Sequence, residues 1–195
     1  MSESQQGNAR QQILLVAKQL FARQGYRGLS MREIAEAVGV SKAALYYHFK
    51  DKEQLLLAIL DAYLDELETI IDGVCLECTD CRTQIQSFVE EILSQPVEQR
   101  SVIRLSSQEF TQLSDPARQA FYLSYHQKFI DKITAMIVRG MQKGEIRPME
   151  PALVVWALLG IMYPYFYPSH VAEVMPTREV AQQISRIFWQ GVANP

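Results

Sequence analysis

Two groups of side chains stand close enough along the chain to act together. The first is Cys75-Leu76-Glu77-Cys78-Thr79-Asp80-Cys81, which holds all three cysteines of the protein at two-residue gaps. On a helix, consecutive members sit nearly one turn apart, and three thiolates so placed suit a soft metal, part of an iron–sulfur cluster, or reversible oxidation. The run lacks a fourth ligand; Glu77, Asp80 or a second subunit would have to supply it, since His126 and His170 are distant in sequence. The plainer reading is three free thiols at a helix end and loop, with no structural bridge in a reducing compartment. The second group is Lys42, Ala43, Ala44, Tyr46, Tyr47 and His48, followed by Lys52, with no carboxylate between Glu36 and Asp51. Donors, short side chains and aromatics without an interposed acid make a face that attracts a polyanion, whereas an ordinary solvated helix mixes Glu with Lys.

Positioning the second group requires short helices. Ile13, Val16, Ala17, Leu20 and Phe21 recur at three- and four-residue steps from Ala9 to Gln24, as on an amphipathic helix that Gly25 ends. Ser30 with Glu33 three residues on reads as a capping box that opens a helix through Ile34, Ala35 and Val38, closed by Gly39. Ser41 caps a third helix whose Leu45 and Phe49 point inward, leaving the second group mostly outside. Two short helices around Gly39-Val40-Ser41, with small Ala35 at the crossing, fit a helix-turn-helix. Charge agrees with this division: up to Lys52 there are eight basic and four acidic side chains, and beyond it eleven and eighteen. A basic head on an acidic body suits phosphate binding by the head alone.

The run from Gly28 to Leu55, which includes Ser30-Met31-Arg32-Glu33-Ile34-Ala35 and Gly39-Val40-Ser41-Lys42-Ala43-Ala44-Leu45-Tyr46-Tyr47-His48-Phe49-Lys50-Asp51-Lys52, resembles the signature of the TetR family of transcriptional repressors. The resemblance covers the first quarter to third of the chain and implies an all-α protein. In that reading a three-helix DNA-binding domain over residues 1–50 is followed, through a linking helix 51–72, by a helical ligand-binding and dimerisation domain over 51–195. It implies base or groove contacts from Arg32, Lys42, Ala43, Ala44 and Tyr46, and phosphate contacts from Ser30, Ser41, Tyr47, His48 and Lys52. The partners it implies are a palindromic double-stranded operator, a second copy of the chain and a small, mostly apolar effector. Ala43 and Ala44 let the helix approach the groove and touch thymine methyls but donate nothing, so specificity leans on Arg32, Lys42 and Tyr46.

Beyond the head the spacing predicts helices at Asp51 to Asp72, Arg82 to Ser94, Pro96 to Gln108, Pro116 to Lys143, Pro151 to Tyr167 and Thr177 to Val192, and no strand. Aromatics and methionines gather there, and Phe88, Phe110, Tyr122, Trp156, Met162 and Tyr163 are the candidates for an effector pocket, against the alternative that each is simply core. Dimer contacts are sought on Pro116 to Lys143 and Pro151 to Tyr167, among Phe121, Tyr125, Phe129, Ile133, Val154, Leu158, Ile161 and Tyr165; periodicity leaves open which face the partner. The uncharged stretch Pro151 to Ala172 has the length of a membrane span, but its prolines, Gly160 and His170 favour a buried helix. Met1 to Gln12 has no apolar signal core, so a cytoplasmic location is expected. No nucleophile elbow, phosphate-binding glycine loop or zinc-binding histidine pair is present, so neither catalysis nor a cofactor is expected, soft metal or redox chemistry at Cys75, Cys78 and Cys81 being the alternative.

Overall fold

The computed structural model describes residues 3–96, 110–166 and 177–194, and among these the protein is built of helices. They are α1 (Glu3–Gln24), α2 (Met31–Val38), α3 (Lys42–His48), α4 (Lys52–Glu77), α5 (Cys81–Ser94), α6 (Asp115–Tyr125), α7 (Asp131–Gln142), α8 (Pro151–Met162) and α9 (Thr177–Val192). The expected helix from Pro96 to Gln108 lies outside the described residues. An isolated bridge between Ile146 and Ala193 provides extended pairing. The chain divides into two compact units: the described residues of one fall within Met1–Tyr63 and Ser101–Tyr122, and those of the other within Leu64–Arg100 and Leu123–Pro195. The division cuts α4 after Tyr63, so the linking helix is shared rather than assigned whole to the second unit.

In the first unit Ile13, Ala17 and Phe21 of α1 are buried against Ile34, Ala35 and Val38 of α2, and Leu45 and Phe49 close the small core from α3. Gly25 turns the chain out of α1 at φ 73° while its N–H donates to the Phe21 carbonyl at 2.9 Å. That left-handed conformation is the reason for glycine after the last helical residue.

The second unit packs Phe88, Val89 and Ile92 of α5, Ile133 and Ile137 of α7, Val154, Leu158 and Met162 of α8, and Ala181, Ile184 and Phe188 of α9 into one apolar core. The single helix expected over Pro116 to Lys143 is interrupted by a π turn at His126–Ile130, which joins α6 to α7. The π turn widens the helix locally, and Lys128 within it pairs with Asp65 of α4 at 2.6 Å. One turn on, Lys132 pairs with Glu68 at 3.0 Å and Asp72 at 2.8 Å, and these carboxylates raise the lysine's proton affinity. Pro164, which has no N–H, coincides with the change from α8 to a 3-10 turn at Tyr163–Phe166. Among the described residues no helix is long and apolar enough to cross a membrane.

The α7–α8 connection holds the far end of this unit together. Arg147 N–H donates to the Val192 carbonyl and Asn194 N–H to the Glu145 carbonyl, both at 3.0 Å, while the Glu145 carboxylate accepts the Cys81 N–H at the start of α5. Cys81 itself is buried against Gly140, where a Cβ would stand 2.7 Å from the Cys81 sulfur and 3.0 Å from Ile146 Cδ1. Gly140→Ala should therefore cost about 1–3 kcal/mol of stability through overpacking. In urea unfolding part of that cost should disappear in a Cys81→Ala background, which removes the sulfur but keeps the Cβ 3.0 Å away, and simple additivity of the two changes would contradict the sulfur contact.

Candidate nucleic-acid interface

Each end of the helix-turn-helix is fixed by local chemistry. Ser30 Oγ accepts the Glu33 N–H at 3.2 Å, and the Glu33 carboxylate accepts both the Ser30 N–H at 2.7 Å and the Ser30 hydroxyl at 2.6 Å. Both halves of the capping box are thus formed, and the Ser30 bonds hold the Glu33 carboxyl below the usual carboxylate range. Gly39 closes α2 at φ 79°, its N–H reaching the Ala35 carbonyl at 3.0 Å and the Glu36 carbonyl at 3.2 Å. Two residues later Ser41 Oγ accepts the Ala44 N–H at 3.1 Å and starts α3. Buried Ala35 and Leu45 then let α2 and α3 cross closely.

What α3 leaves outside is the face anticipated from its sequence. Lys42 and Ala43 are exposed, Tyr46 and Tyr47 are 41% and 73% exposed, and Ala44 and His48 are half-buried. Lys42 Nζ stands 5.7 Å from the Tyr46 ring centroid, and the Tyr47 and His48 rings meet edge to face at 5.2 Å. The Ser41 oxygen is used as a cap acceptor, which leaves its proton for an outward acceptor. Two members of the expected set are otherwise engaged. Arg32 pairs with Glu36 at 2.8 Å one turn along α2, which raises the guanidinium's proton affinity. The Ser30 hydroxyl proton is committed to Glu33.

Lys52 faces elsewhere. Its ammonium donates to the carbonyls of Tyr26 and Leu29, each at 2.7 Å, and lies 4.3 Å from the Tyr26 ring centroid. Its neighbours in the same turn of α4 are also tied: Asp51 accepts the Gln54 N–H at 2.7 Å, and Glu53 accepts the Ser114 N–H at 2.7 Å and the Ser114 hydroxyl at 2.9 Å. Arg27 donates to Gln112 at 2.7 Å. These contacts bridge up to 85 positions, and no local sequence signal announces them.

The candidate effector residues occupy different places. Phe88 and Met162 are fully buried in the second unit's core, with Phe88 6.3 Å from Phe129. Phe110 is half-buried beside Phe121 in the first unit, where Tyr122 is exposed. Trp156 lies on the outer face of α8 with Leu153, and Tyr163 is exposed at the start of the following 3-10 turn, whereas Phe129, Ile133, Val154 and Leu158, considered for a dimer contact, are buried within the subunit. A cleft of about 380 Å³ between α5 and α9 is lined by polar residues, among them Arg82, Gln86, Gln182 and Arg186, and is unlike an apolar pocket.

The three cysteines diverge as well. The Cys75 sulfur accepts from Arg139 at 3.3 Å, Cys78 lies 3.6 Å from the Ser87 hydroxyl, and the buried Cys81 thiol points to the Met136 carbonyl at 3.9 Å. Burial raises the proton affinity of Cys75, against the pull of Arg139. Burial first, then Glu145 and Asp80, push the Cys81 thiol up to about 12. Among the described residues no group of three or more His, Cys, Asp or Glu side chains is disposed to hold a metal.

Residues 13–59 match the family described as bacterial regulatory proteins, tetR family. The chain is 38% identical over 81 residues to the HTH-type transcriptional activator FasR of Mycolicibacterium smegmatis, an alignment covering 42% of this chain and 37% of that protein. It is 25% identical to the HTH-type transcriptional repressor KstR2 of Rhodococcus jostii over 95% of this chain and 92% of the other. The structure resembles that of the TetR family transcriptional regulator PfmR from Thermus thermophilus, with a TM-score of 0.76 and 28% identity over 91% of this chain and 97% of that one.

Ser30→Ala should remove the hydroxyl half of the capping box, leaving the residue-30 backbone N–H on the Glu33 carboxylate, and cost about 1 kcal/mol of stability. Because Glu33 titrates below its unfolded value, its contribution is present above the carboxylate range and lost as pH falls through it. Glu33→Gln should keep a capping geometry yet flatten the decline in melting temperature between about pH 5 and pH 3; an unchanged acid limb would show that the Ser30 bonds do not carry that shift.

Proposed function

We propose, from the match of residues 13–59 to the tetR family of bacterial regulatory proteins, that the chain is a TetR-family regulator acting as a homodimeric, effector-responsive repressor of a palindromic operator. The observation that carries this reading is the outward face of α3, where Lys42, Ala43, Tyr46 and Tyr47 are exposed together and the sequence places no acid between Glu36 and Asp51. Lys42 supplies donors for guanine edges, Ala43 and Ala44 bring the helix to thymine methyls, and Tyr46 adds a ring and hydroxyl beside Lys42. Ser41, Tyr47 and His48 hold phosphates around them. Arg32 joins the base contacts by exchanging Glu36 for DNA, an exposed pair that costs little to open. For Ser30 to reach a phosphate it must first release Glu33.

A second copy is favoured by α8 and α9. Leu153, Trp156 and Gly160 on the exposed side of α8 and Tyr163 just beyond its end recur at three- and four-residue steps, and Ile187 of α9 is 60% exposed. An apolar strip of this kind suits a partner helix more than water, and Gly160 permits close approach. Twofold pairing would set the two reading helices about 34 to 36 Å apart, one turn of the duplex. A small, mostly apolar effector binding the second unit would need a coupling of only about 1–3 kcal/mol to change occupancy of the operator. Such a regulator works in the cytoplasm, where the DNA is, and the reading assigns it no catalysis.

Selection of genomic fragments by the purified protein should return an inverted repeat. Lys42→Ala should weaken binding and lower the slope of log affinity against log salt by about 0.9 for each phosphate charge no longer neutralised, and Tyr47→Ala should weaken all duplexes alike. Absence of any preferred duplex would overturn the assignment. Trp156→Glu should shift the protein from dimer to monomer in sedimentation and take operator affinity with it; a stable dimer in that variant would move the interface elsewhere.

A further inference from the structure

Lys52 is the cation of the expected DNA-contacting set whose ammonium is turned into the protein. Its two carbonyl acceptors, Tyr26 and Leu29, bracket the turn between α1 and α2, and the Tyr26 ring covers the ammonium from a further side while leaning on Phe21 at 5.8 Å. A lysine has three protons, and two are already placed. The turn is pressed close to the end of α1: a Cβ at Gly28 would stand 2.5 Å from the Gln24 carbonyl oxygen. Backbone carbonyls in the turn that follows α1 accept this cation, which comes from a residue 26 positions away from Tyr26, at the start of α4. Leu29 is buried and its carbonyl immediately precedes Ser30, the N-cap of α2, against which α3 packs. Reaching out to a phosphate would take the ammonium away from both part-buried carbonyls, at the cost of two charge-assisted hydrogen bonds.

We propose that Lys52 is a positioning residue: it fixes the Tyr26–Leu29 turn, and through it the entry of α2 and the seating of α3, and is not a phosphate contact. This rests on the reading of α3 as the DNA-reading helix. The two roles separate in binding measured at several salt concentrations, well below each variant's melting temperature, on a duplex recovered by the genomic selection and on a random-sequence duplex of equal length. For Lys52→Met, positioning entails about a tenfold loss on the selected duplex, with the random duplex changed by less than about twofold and the salt slope unaltered. Equal losses on both duplexes with a slope lowered by about 0.9 per subunit would establish a phosphate contact and overturn the proposal. A lower melting temperature with the ratio of the two affinities intact would overturn it too, leaving Lys52 a merely structural residue. Tyr26→Leu, which keeps the lysine charge, guards against a misfolded Lys52→Met: it should reduce discrimination without moving the slope, and unimpaired discrimination counts against positioning. If the wild-type protein does not distinguish the duplexes, it is the DNA-binding reading that fails, and that failure is visible before any variant is measured.

Discussion

The first turn of α4 is the constraint on which the DNA-binding unit depends. Within four residues Asp51 caps the helix, Lys52 grips the turn after α1, Glu53 receives Ser114, and Gln54 accepts the Lys50 N–H at 3.3 Å. A three-helix unit of this size has little apolar surface to bury, so polar contacts that bridge distant segments matter more to its geometry than they would in a large core. The carbonyls held by Lys52 end one helix and precede the cap of the next. The position of α3 therefore follows from a chain of short-range bonds anchored at one place.

Electrostatics divides the molecule differently from its packing. The head carries the excess of positive charge, while in the body Lys128 is paired with Asp65, and Lys132 with Glu68 and Asp72. Exposed pairs of this kind contribute little each, about 0–1 kcal/mol, but they leave α4 and the π turn–α7 segment with few unpaired lysines to compete for DNA. On α3, by contrast, Lys42 makes no ion pair among the described residues, and its ammonium lies beside the Tyr46 ring.

The cysteine run shows how spacing and structure part company. Two-residue gaps would align three thiols only if one helix carried them all, and here α4 ends at Glu77 and α5 begins at Cys81. The break turns Cys81 into the core beside Gly140 and leaves Cys75 on α4 beside Arg139. A motif written in residue numbers is thus dispersed by a helix boundary inside it.

Local chemistry made the head legible from residues alone. The Ser30–Glu33 box, the left-handed Gly25 and Gly39, the Ser41 cap and the inward Leu45 and Phe49 are all decided within five positions, so sequence reports them directly. The same holds for the outward face of α3. What sequence could not decide were choices made between segments far apart. Lys52 reads as a free cation until the turn after α1 places two carbonyls against it, and α8 is apolar on every side, so periodicity cannot tell core Val154 and Leu158 from exposed Leu153 and Trp156. The division of α4 between two units likewise arises only when residues 110–122 return to the first. Sequence determined the helices, their caps and the outward face of α3; tertiary contact decided where each charge found its partner, because the partner of a long side chain is set by distance in space and not along the chain.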